Sequence, residues 1–397
     1  MAVRIVDLFA GCGGLTLGFQ NAGFDIVGAF EYWDAAASCY AHNFDHAVFQ
    51  DDLSDAGNAI GKIKSLDADI IIGGPPCQDF SHAGKRVEAS RAGLTGSFAE
   101  IVSGIHPKYF VMENVDRALK SNAYSFARQA LKDAGYGLTE IVLDASYCGV
   151  PQRRKRFFCI GSLNQSDGFL LEYFAKSKSA KEMTLRDYFG NTLDVEYYYR
   201  HPRNYCRRAI FSIDEPAPTV RGVNRPIPQG YPGHPNDACK ISQCERPLTT
   251  LERALVQTFP PDFKWESSKT NMEQMIGNAV PVKLAEFVAR ALLYHINECE
   301  GVAQSNTTLT IDYKDFSEWL NSAQALSDRT KRDTMSRLKR ADAICAITQI
   351  PDDYYFFHLD QTPDFRSIAP TVRSQIKRAV SLFSEYCTSQ LFMQEAV

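Results

Sequence analysis

Three consecutive isoleucines, Ile70-Ile71-Ile72, follow Asp69 and are cut off by Gly73-Gly74-Pro75-Pro76-Cys77-Gln78. The run reads as a short buried strand, and the Gly-Pro turn that ends it places a thiol at the strand terminus. In an α/β fold, ligands sit outside the carboxyl ends of the strands. Cys77 follows two prolines and precedes a glutamine, so its backbone has little freedom and it stands outside any regular element. Those are the requirements of a nucleophile. The plainer role for any free cysteine is that of a small buried hydrophobe. A second apolar run, Tyr109-Phe110-Val111-Met112, ends in Glu113-Asn114-Val115. If the two strands are neighbours in a parallel sheet, a thiol and a carboxylate face one crevice.

At 397 residues the chain exceeds one compact core, and two or three domains are expected. Val3-Arg4-Ile5-Val6-Asp7-Leu8-Phe9 reads as a strand and lacks the pattern of a signal peptide. No apolar run is long enough to span a membrane. Eleven cysteines without close pairing fit free thiols, so a cytoplasmic location is expected. The Cys-x-x-Cys pairs of structural zinc sites are absent, and no metal is expected despite the open spacing of His234, Cys239 and Cys244. A net charge of −4 argues against an all-over basic surface. Local basic stretches remain: Gln152-Arg153-Arg154-Lys155-Arg156, Arg200 to Arg208, and Arg221 with Arg225, interleaved with Tyr197, Tyr198, Tyr199 and Tyr205. Cations among aromatics suit a polyanion carrying flat bases, although each run alone also suits a solvated face.

After the first strand comes Ala10-Gly11-Cys12-Gly13-Gly14, then an apolar helix ending near Gly23. This is the layout of a nucleotide-type site, but the spacing departs from the G-x-G-x-x-G of dinucleotide binders. The next strand, Asp25 to Phe30, ends at Glu31, about twenty residues beyond the glycine turn, where an acid can bind ribose hydroxyls. Asp52 follows a short β-like segment, Ala47-Val48-Phe49-Gln50. A glycine turn with two successive strand-end acids and no phosphate-gripping lysine suits an adenosine ligand without phosphates, such as S-adenosylmethionine.

Taken in order, Asp7-Leu8-Phe9-Ala10-Gly11-Cys12-Gly13-Gly14, Glu31, Pro75-Pro76-Cys77-Gln78, Glu113-Asn114-Val115, Gln152-Arg153-Arg154-Lys155-Arg156, Arg246-Pro247-Leu248-Thr249 and Gly277-Asn278-Ala279-Val280-Pro281 resemble the DNA cytosine-5 methyltransferases of bacterial restriction-modification systems. The similarity runs from residue 3 to about 295. It implies a Rossmann-like S-adenosylmethionine-dependent α/β fold with a mostly parallel sheet and a smaller irregular target-recognition domain; residues from about Gly301 run beyond the last family block and read as an added C-terminal helical extension. The implied boundaries are 1–160 with 272–300 for the catalytic and cofactor-binding domain, 161–271 for target recognition and 301–397 for the extension.

The resemblance makes Cys77 the nucleophile toward carbon-6 of a flipped cytosine. It places Glu113 on ring nitrogen 3, Arg154 on the 2-oxygen, and Arg156 where it supports the site and a backbone phosphate. For the cofactor it implies Phe9 near the adenine, Gly11 and Gly13 near the methionine part, Glu31 on the ribose and Asp52 on the adenine amine. Pro76, Leu94 and Asn278 complete that pocket, and S-adenosylhomocysteine is the product. Many relatives have glycine where this chain has Asp51, so Asp51 competes with Asp52 for the adenine role; Asp52 is the choice here. The family also implies closure over DNA of the loop after Cys77, whose Ser81, Lys85 and Arg86 are candidate phosphate contacts.

Within 161–271, Pro216-Ala217-Pro218-Thr219-Val220-Arg221-Gly222-Val223-Asn224-Arg225-Pro226 joins rigid prolines to side chains that read base edges. Arg221, Asn224 and Arg225 are the expected readers. In the extension, Phe316, Trp319, Leu320, Met335, Leu338, Ile344, Ile376, Val380, Leu382 and Phe383 suggest a small helical domain. The expected partners are double-stranded DNA and, functionally, a cognate restriction endonuclease, with the enzyme monomeric on DNA unless the extension dimerises. The rivals are methylation of transfer RNA by the same fold, and an inactive DNA-binding regulator.

Overall fold

The chain opens with alternating strands and helices: β1 (Arg4–Leu8), α1 (Gly14–Asn21), β2 (Asp25–Phe30), α2 (Asp34–Ala41), β3 (Val48–Phe49), α3 (Ala56–Ser65), β4 (Ile70–Gly73), α4 (Leu94–Ile105), β5 (Tyr109–Val115), α5 (Asn122–Asp133) and β6 (Tyr136–Asp144). A two-residue strand, β7 (Gln152–Arg153), precedes β8 (Lys155–Leu163). The computed structural model describes residues 3–76, 93–190, 192–204, 206–244, 246–299, 313–323, 326–347, 350–351, 355–356, 359 and 362–394.

Seven strands form one sheet in the order β3-β2-β1-β4-β5-β8-β6. The first five are parallel, and β8 lies antiparallel between β5 and β6. Ile70, Ile71 and Ile72 are fully buried on the central strand β4, which explains a run with no polar alternation. Burial of each is worth roughly 1.5–3 kcal/mol. Leu8 pairs with Phe30 on one side and with Gly73 on the other, and Gly73 pairs with Met112. The carboxyl ends of β1, β2, β4 and β5 are therefore level, and the strand order reverses between β1 and β4. A crevice opens at such a reversal. Gly73 is required there, because a Cβ would run into the Leu8 carbonyl oxygen.

The remaining elements are α6 (Leu171–Ser177), α7 (Leu185–Phe189), β9 (Tyr197–Tyr199), β10 (Ile210–Ser212), β11 (Ala217–Pro218), β12 (Arg246–Pro247), α8 (Thr250–Val256), α9 (Lys269–Asn278) and α10 (Val282–Cys299). β9 pairs with β10 and β12, and β11 pairs with β7. Leu185, Tyr198, Phe211, Ile213 and Leu248 share a core with Tyr40 and Phe44 near α2 and with Phe259 and Met275. Residues 161–271 thus pack into one compact unit with the catalytic sheet, spanning Met1–His295, and do not form a separate globule. In α10, Leu284, Val288, Ala291 and Leu292 are fully buried, as their helical spacing predicts.

A second compact unit covers Ile296–Val397. Its described helices are Tyr313–Ala323, Asp328–Ile344, Pro363–Arg366 and Pro370–Gln394. Phe316, Leu320, Leu338, Ile376, Val380 and Phe383 form its core, with Trp319, Met335, Ile344 and Leu382 packed partly buried against it.

Candidate active site

A cavity of about 760 Å³ opens at the level carboxyl ends of β1, β2, β4 and β5. Its floor is the turn after β1. Phe9 and Gly11 both take positive φ, 58° each, and a Cβ added to Gly11 would meet nothing within 4 Å. The backbone is bare at that point and available to a ligand. Gly13 also has positive φ, 93°, but a Cβ there would strike Phe44. Gly13 thus shapes the turn and is not among the cavity-lining residues, in contrast to the approach expected of it.

Glu31 continues β2 into the cavity. Its carboxylate accepts hydrogen bonds from the N–H groups of Gly11 and Trp33, both at 2.7 Å, which tie the glycine turn to the second strand. Burial raises its pKa, and these backbone donors partly offset the rise. Asp51 and Asp52 both line the cavity, but both Asp51 oxygens are taken by Lys62 Nζ, at 2.8 and 2.9 Å. Asp52 is exposed and accepts only the Ser54 N–H at 2.9 Å, which with the Ser54 hydroxyl lowers its pKa. Of the two acids, Asp52 is the one with oxygens to spare. Phe9, Pro76, Leu94 and Asn278 line the same cavity, as expected, and so do Tyr32, Trp33 and Asn114, which sequence reasoning gave no role.

This lining fits an adenosine-type ligand in three respects. A bare glycine turn meets the ligand's backbone-facing side, aromatic rings flank it, and two acids of differing freedom stand on successive strands. Among the described residues no lysine lines the cavity.

On the opposite wall, Glu113 is 7% exposed and its Oε1 lies 2.8 Å from Arg156 Nε. The pair is close, yet Oε1 makes no aligned hydrogen bond. Burial raises the Glu113 pKa, while Arg156 and Arg154 oppose the rise. A Cβ on Gly74 would meet Glu113 Oε2 at 3.1 Å, so the carboxyl group reaches over the end of β4. Asn114 Nδ2 donates to the Pro75 carbonyl at 3.0 Å and ties the two strand ends together. β4 and β5 are neighbours, which meets the condition for a shared crevice. Cys77, Ser81, Lys85 and Arg86 lie outside the described residues.

Arg154 departs from its expected place. It is fully buried, does not line the cavity, and donates to the carbonyls of Val220 at 3.0 Å, Gly277 at 2.8 Å and Ala279 at 2.9 Å. Its guanidinium is held behind the wall by these three carbonyls and presents no surface to the cavity. Arg156 is the arginine on the cavity wall. Beside Arg154, Gln152 accepts the Val220 N–H and donates to Gln257 Oε1, both at 2.8 Å. Gln257 Nε2 in turn donates to the Ile276 carbonyl at 2.5 Å. This buried amide–guanidinium cluster holds Val220 from both its N–H and its C=O and fixes the turn that carries Asn278. Gln257 was invisible to sequence reasoning, since a neutral amide at a helix end carries no motif. Exchanging Arg154 for leucine removes three buried hydrogen bonds and leaves the Val220 and Gly277 carbonyls without this donor, while Ala279 keeps Gln257 at 3.2 Å, and a loss of about 3–5 kcal/mol of stability is expected in urea unfolding. A midpoint equal to that of the parent chain contradicts this bracing role.

The candidate base readers differ from one another. Arg221 is half-buried and its Nη2 donates to the His201 carbonyl, while its own carbonyl accepts from Arg253. Asn224 Nδ2 donates to the Leu248 carbonyl at 2.8 Å, leaving its oxygen available. Arg225 is exposed, as are Arg203 and Arg207. Burial, with Arg221 alongside, pushes the Arg200 guanidinium down to about 10, and Arg225 and Arg221 lower the His201 imidazole in addition to its burial. The segment concentrates positive charge, and Arg225 is the reader free to move. Among the described residues no group of three or more His, Cys, Asp or Glu could hold a metal, and no helix is long and apolar enough to cross a membrane.

The family model for the C-5 cytosine-specific DNA methylase matches residues 3–294. Among curated proteins the chain is 55% identical over 293 residues to the type II methyltransferase M.HindV of Haemophilus influenzae, covering 73% of this chain and 96% of that one. It is 53% identical over 297 residues to the type II methyltransferase M.HgiDI of Herpetosiphon aurantiacus, covering 75% and 96%. Its fold is like that of the S. pombe Dnmt2 methyltransferase, with a TM-score of 0.57 at 20% identity over 74% of this chain and 99% of that one. The Entamoeba histolytica methyltransferase EhMeth gives a TM-score of 0.52 at 15% identity over 75% and 99%.

Proposed function

Since the chain belongs to the C-5 cytosine-specific DNA methylase family and is a DNA (cytosine-5)-methyltransferase, we propose that it methylates one cytosine, flipped out of a short duplex site, as the modification enzyme of a restriction-modification pair. The observation that carries this reading is the buried Glu113–Arg156 pair, set beside the Gly74-Pro75-Pro76 strand end that leads into Cys77.

A thiol on a strand end cannot reach a stacked base, so the target must leave the helix. The Cys77 thiolate adds to carbon-6 while Glu113 supplies a proton to nitrogen 3. The ring is thereby converted to an enamine whose carbon-5 is nucleophilic. Arg156, on the cavity wall, is the arginine that faces the base and neutralises charge developing on it. Arg154 holds the wall from behind. After methylation carbon-5 gives its proton to a water molecule, the Cys77 sulfur leaves carbon-6 as thiolate, and nitrogen 3 returns its proton to Glu113, restoring the aromatic ring. Burial raises the Glu113 pKa and so favours its proton-carrying form, and nearby arginines favour thiolate character at Cys77.

S-adenosylmethionine, when bound, supplies the methyl group. Gly11, Glu31 and Asp52 would hold its polar parts, with Phe9, Pro76, Leu94 and Asn278 around them. Arg225 and Asn224 would read base edges, with Arg221 fixing their loop. None of the ten described cysteines is in a disulfide, which suits a cytoplasmic protein.

Base-resolution 5-methylcytosine sequencing of DNA from an otherwise unmethylating host expressing the chain tests the proposal. One short motif methylated throughout the genome is the expected result. Unmethylated DNA alongside soluble, cofactor-binding protein overturns it.

A further inference from the structure

The family model ends at residue 294, and the unit that begins at Ile296 has its own apolar core and is not needed to complete the cavity. From Tyr313 to the end its basic and acidic residues balance, but their distribution is uneven. Helix Asp328–Ile344 carries Arg329, Lys331, Arg332, Arg337, Lys339 and Arg340 against three acids, Asp328, Asp333 and Asp342.

Thr334, Leu338 and Ala341 mark the buried face of this helix. Arg329, Arg332, Lys339 and Arg340 are all exposed. At 3.6 residues per turn they fall within an arc of about 100°, on the far side from Leu338. The acids do not answer them. Asp333 pairs with Arg337 at 3.7 Å, and Asp342 accepts from the Tyr313 hydroxyl at 2.9 Å and the Ile347 N–H at 2.8 Å. Asp328 sits in the first turn, where the helix dipole favours an acid. Among the described residues Arg329, Arg332 and Arg340 have no carboxylate partner, and Lys339 rests over the Tyr313 ring, 5.0 Å from its centroid. Arg329 and Arg332, three residues apart, repel one another, so this face is less stable for having them.

We propose that this basic face of the C-terminal unit is a sequence-independent docking surface for the phosphate backbone of duplex DNA. The inference rests on DNA being the substrate. From Arg329 to Arg340 the stripe runs about 16 Å, long enough for its four cations to meet several phosphates of a duplex, whose charges lie about 1.7 Å apart along the axis. Phosphate binding requires point charges in a row and no base contacts, which is what the helix offers. Each neutralised phosphate releases a counterion, so the contribution has a defined salt signature.

The test uses the full chain with Arg329→Gln, Arg332→Gln, Lys339→Gln and Arg340→Gln together, and a control with the three arginines changed to lysine. Binding to a duplex lacking any methylatable site is measured across salt concentrations, with circular dichroism to verify helix content. The glutamine variant is expected to flatten the slope of log affinity against log salt by about 2–4, at roughly 0.9 per contact. The lysine control keeps the parent slope. Methylation of a short duplex containing the target is unchanged in kcat. A parent-like slope in the glutamine variant overturns the proposal while leaving methylation intact; a parent chain that methylates no DNA would instead remove the reading on which it rests. A change confined to an RNA duplex or to a protein partner also overturns it.

Discussion

Cys77→Ala is expected to reduce methyl transfer by at least about 10⁴-fold, because the target ring is inert without addition at carbon-6. Among the described residues the cysteine that lines the cavity is Cys12, which is buried and whose pKa burial raises well above the ordinary range, so it is a poor substitute. The proposed cofactor wall is lined by residues of the β1 turn, the end of β2 and the Asp51–Ser54 segment, which are distant from Cys77 in sequence. Cofactor affinity, measured by titration calorimetry with S-adenosylhomocysteine, is therefore expected to stay at the parent value. Substantial methylation by the variant would end the covalent reading. Loss of cofactor binding together with activity would show that the substitution had damaged the fold.

Glu113→Gln is expected to lower kcat by about 10²–10⁴, the usual range for a general acid or base. The amide keeps the shape of the carboxyl group and its position beside Arg156, but it has no proton to transfer. The pH profile separates this role from a structural one. Burial raises the Glu113 pKa, and the proton-carrying form is the active one, so activity of the parent enzyme should fall as pH rises through that pKa. The glutamine variant should lose this alkaline limb while remaining slow at every pH. A variant that retains the limb assigns the titration to another group.

The sequence disclosed the sheet because its signals were local. Ile70-Ile71-Ile72 could be placed as a strand from its own composition, and the glycine turn, Glu31 and Glu113 each mark the end of an apolar run. Level strand ends then assembled the cavity from separate motifs. What remained hidden was set by partners distant in the chain. Arg154 and Arg156 look equivalent in Gln-Arg-Arg-Lys-Arg, and only the carbonyls of Val220, Gly277 and Ala279, 66 to 125 residues away, tell the bracing arginine from the one at the cavity. Gly13 and Gly11 are likewise alike on paper, yet Phe44 closes one side and open space faces the other. The packing of 161–271 with α2 was illegible for the same reason, since its short strands have no periodicity to read.

The double hold on Val220 also defines where the protein can be cut and rejoined. Gln152 and Arg154 belong to the catalytic part and grip the backbone of Val220, while its side chain is buried in the core shared with Leu248 and Met275, so the anchor needs a small apolar residue with a free N–H. From Arg221 the loop projects its candidate readers, and at Arg246 it returns, where the guanidinium meets Glu252 at the start of α8. The interval between these two anchors can be treated as a cassette. Segments transplanted from other enzymes with the same anchors would arrive in register with the flipped base, which makes this framework a chassis for building methylases of new sequence preference.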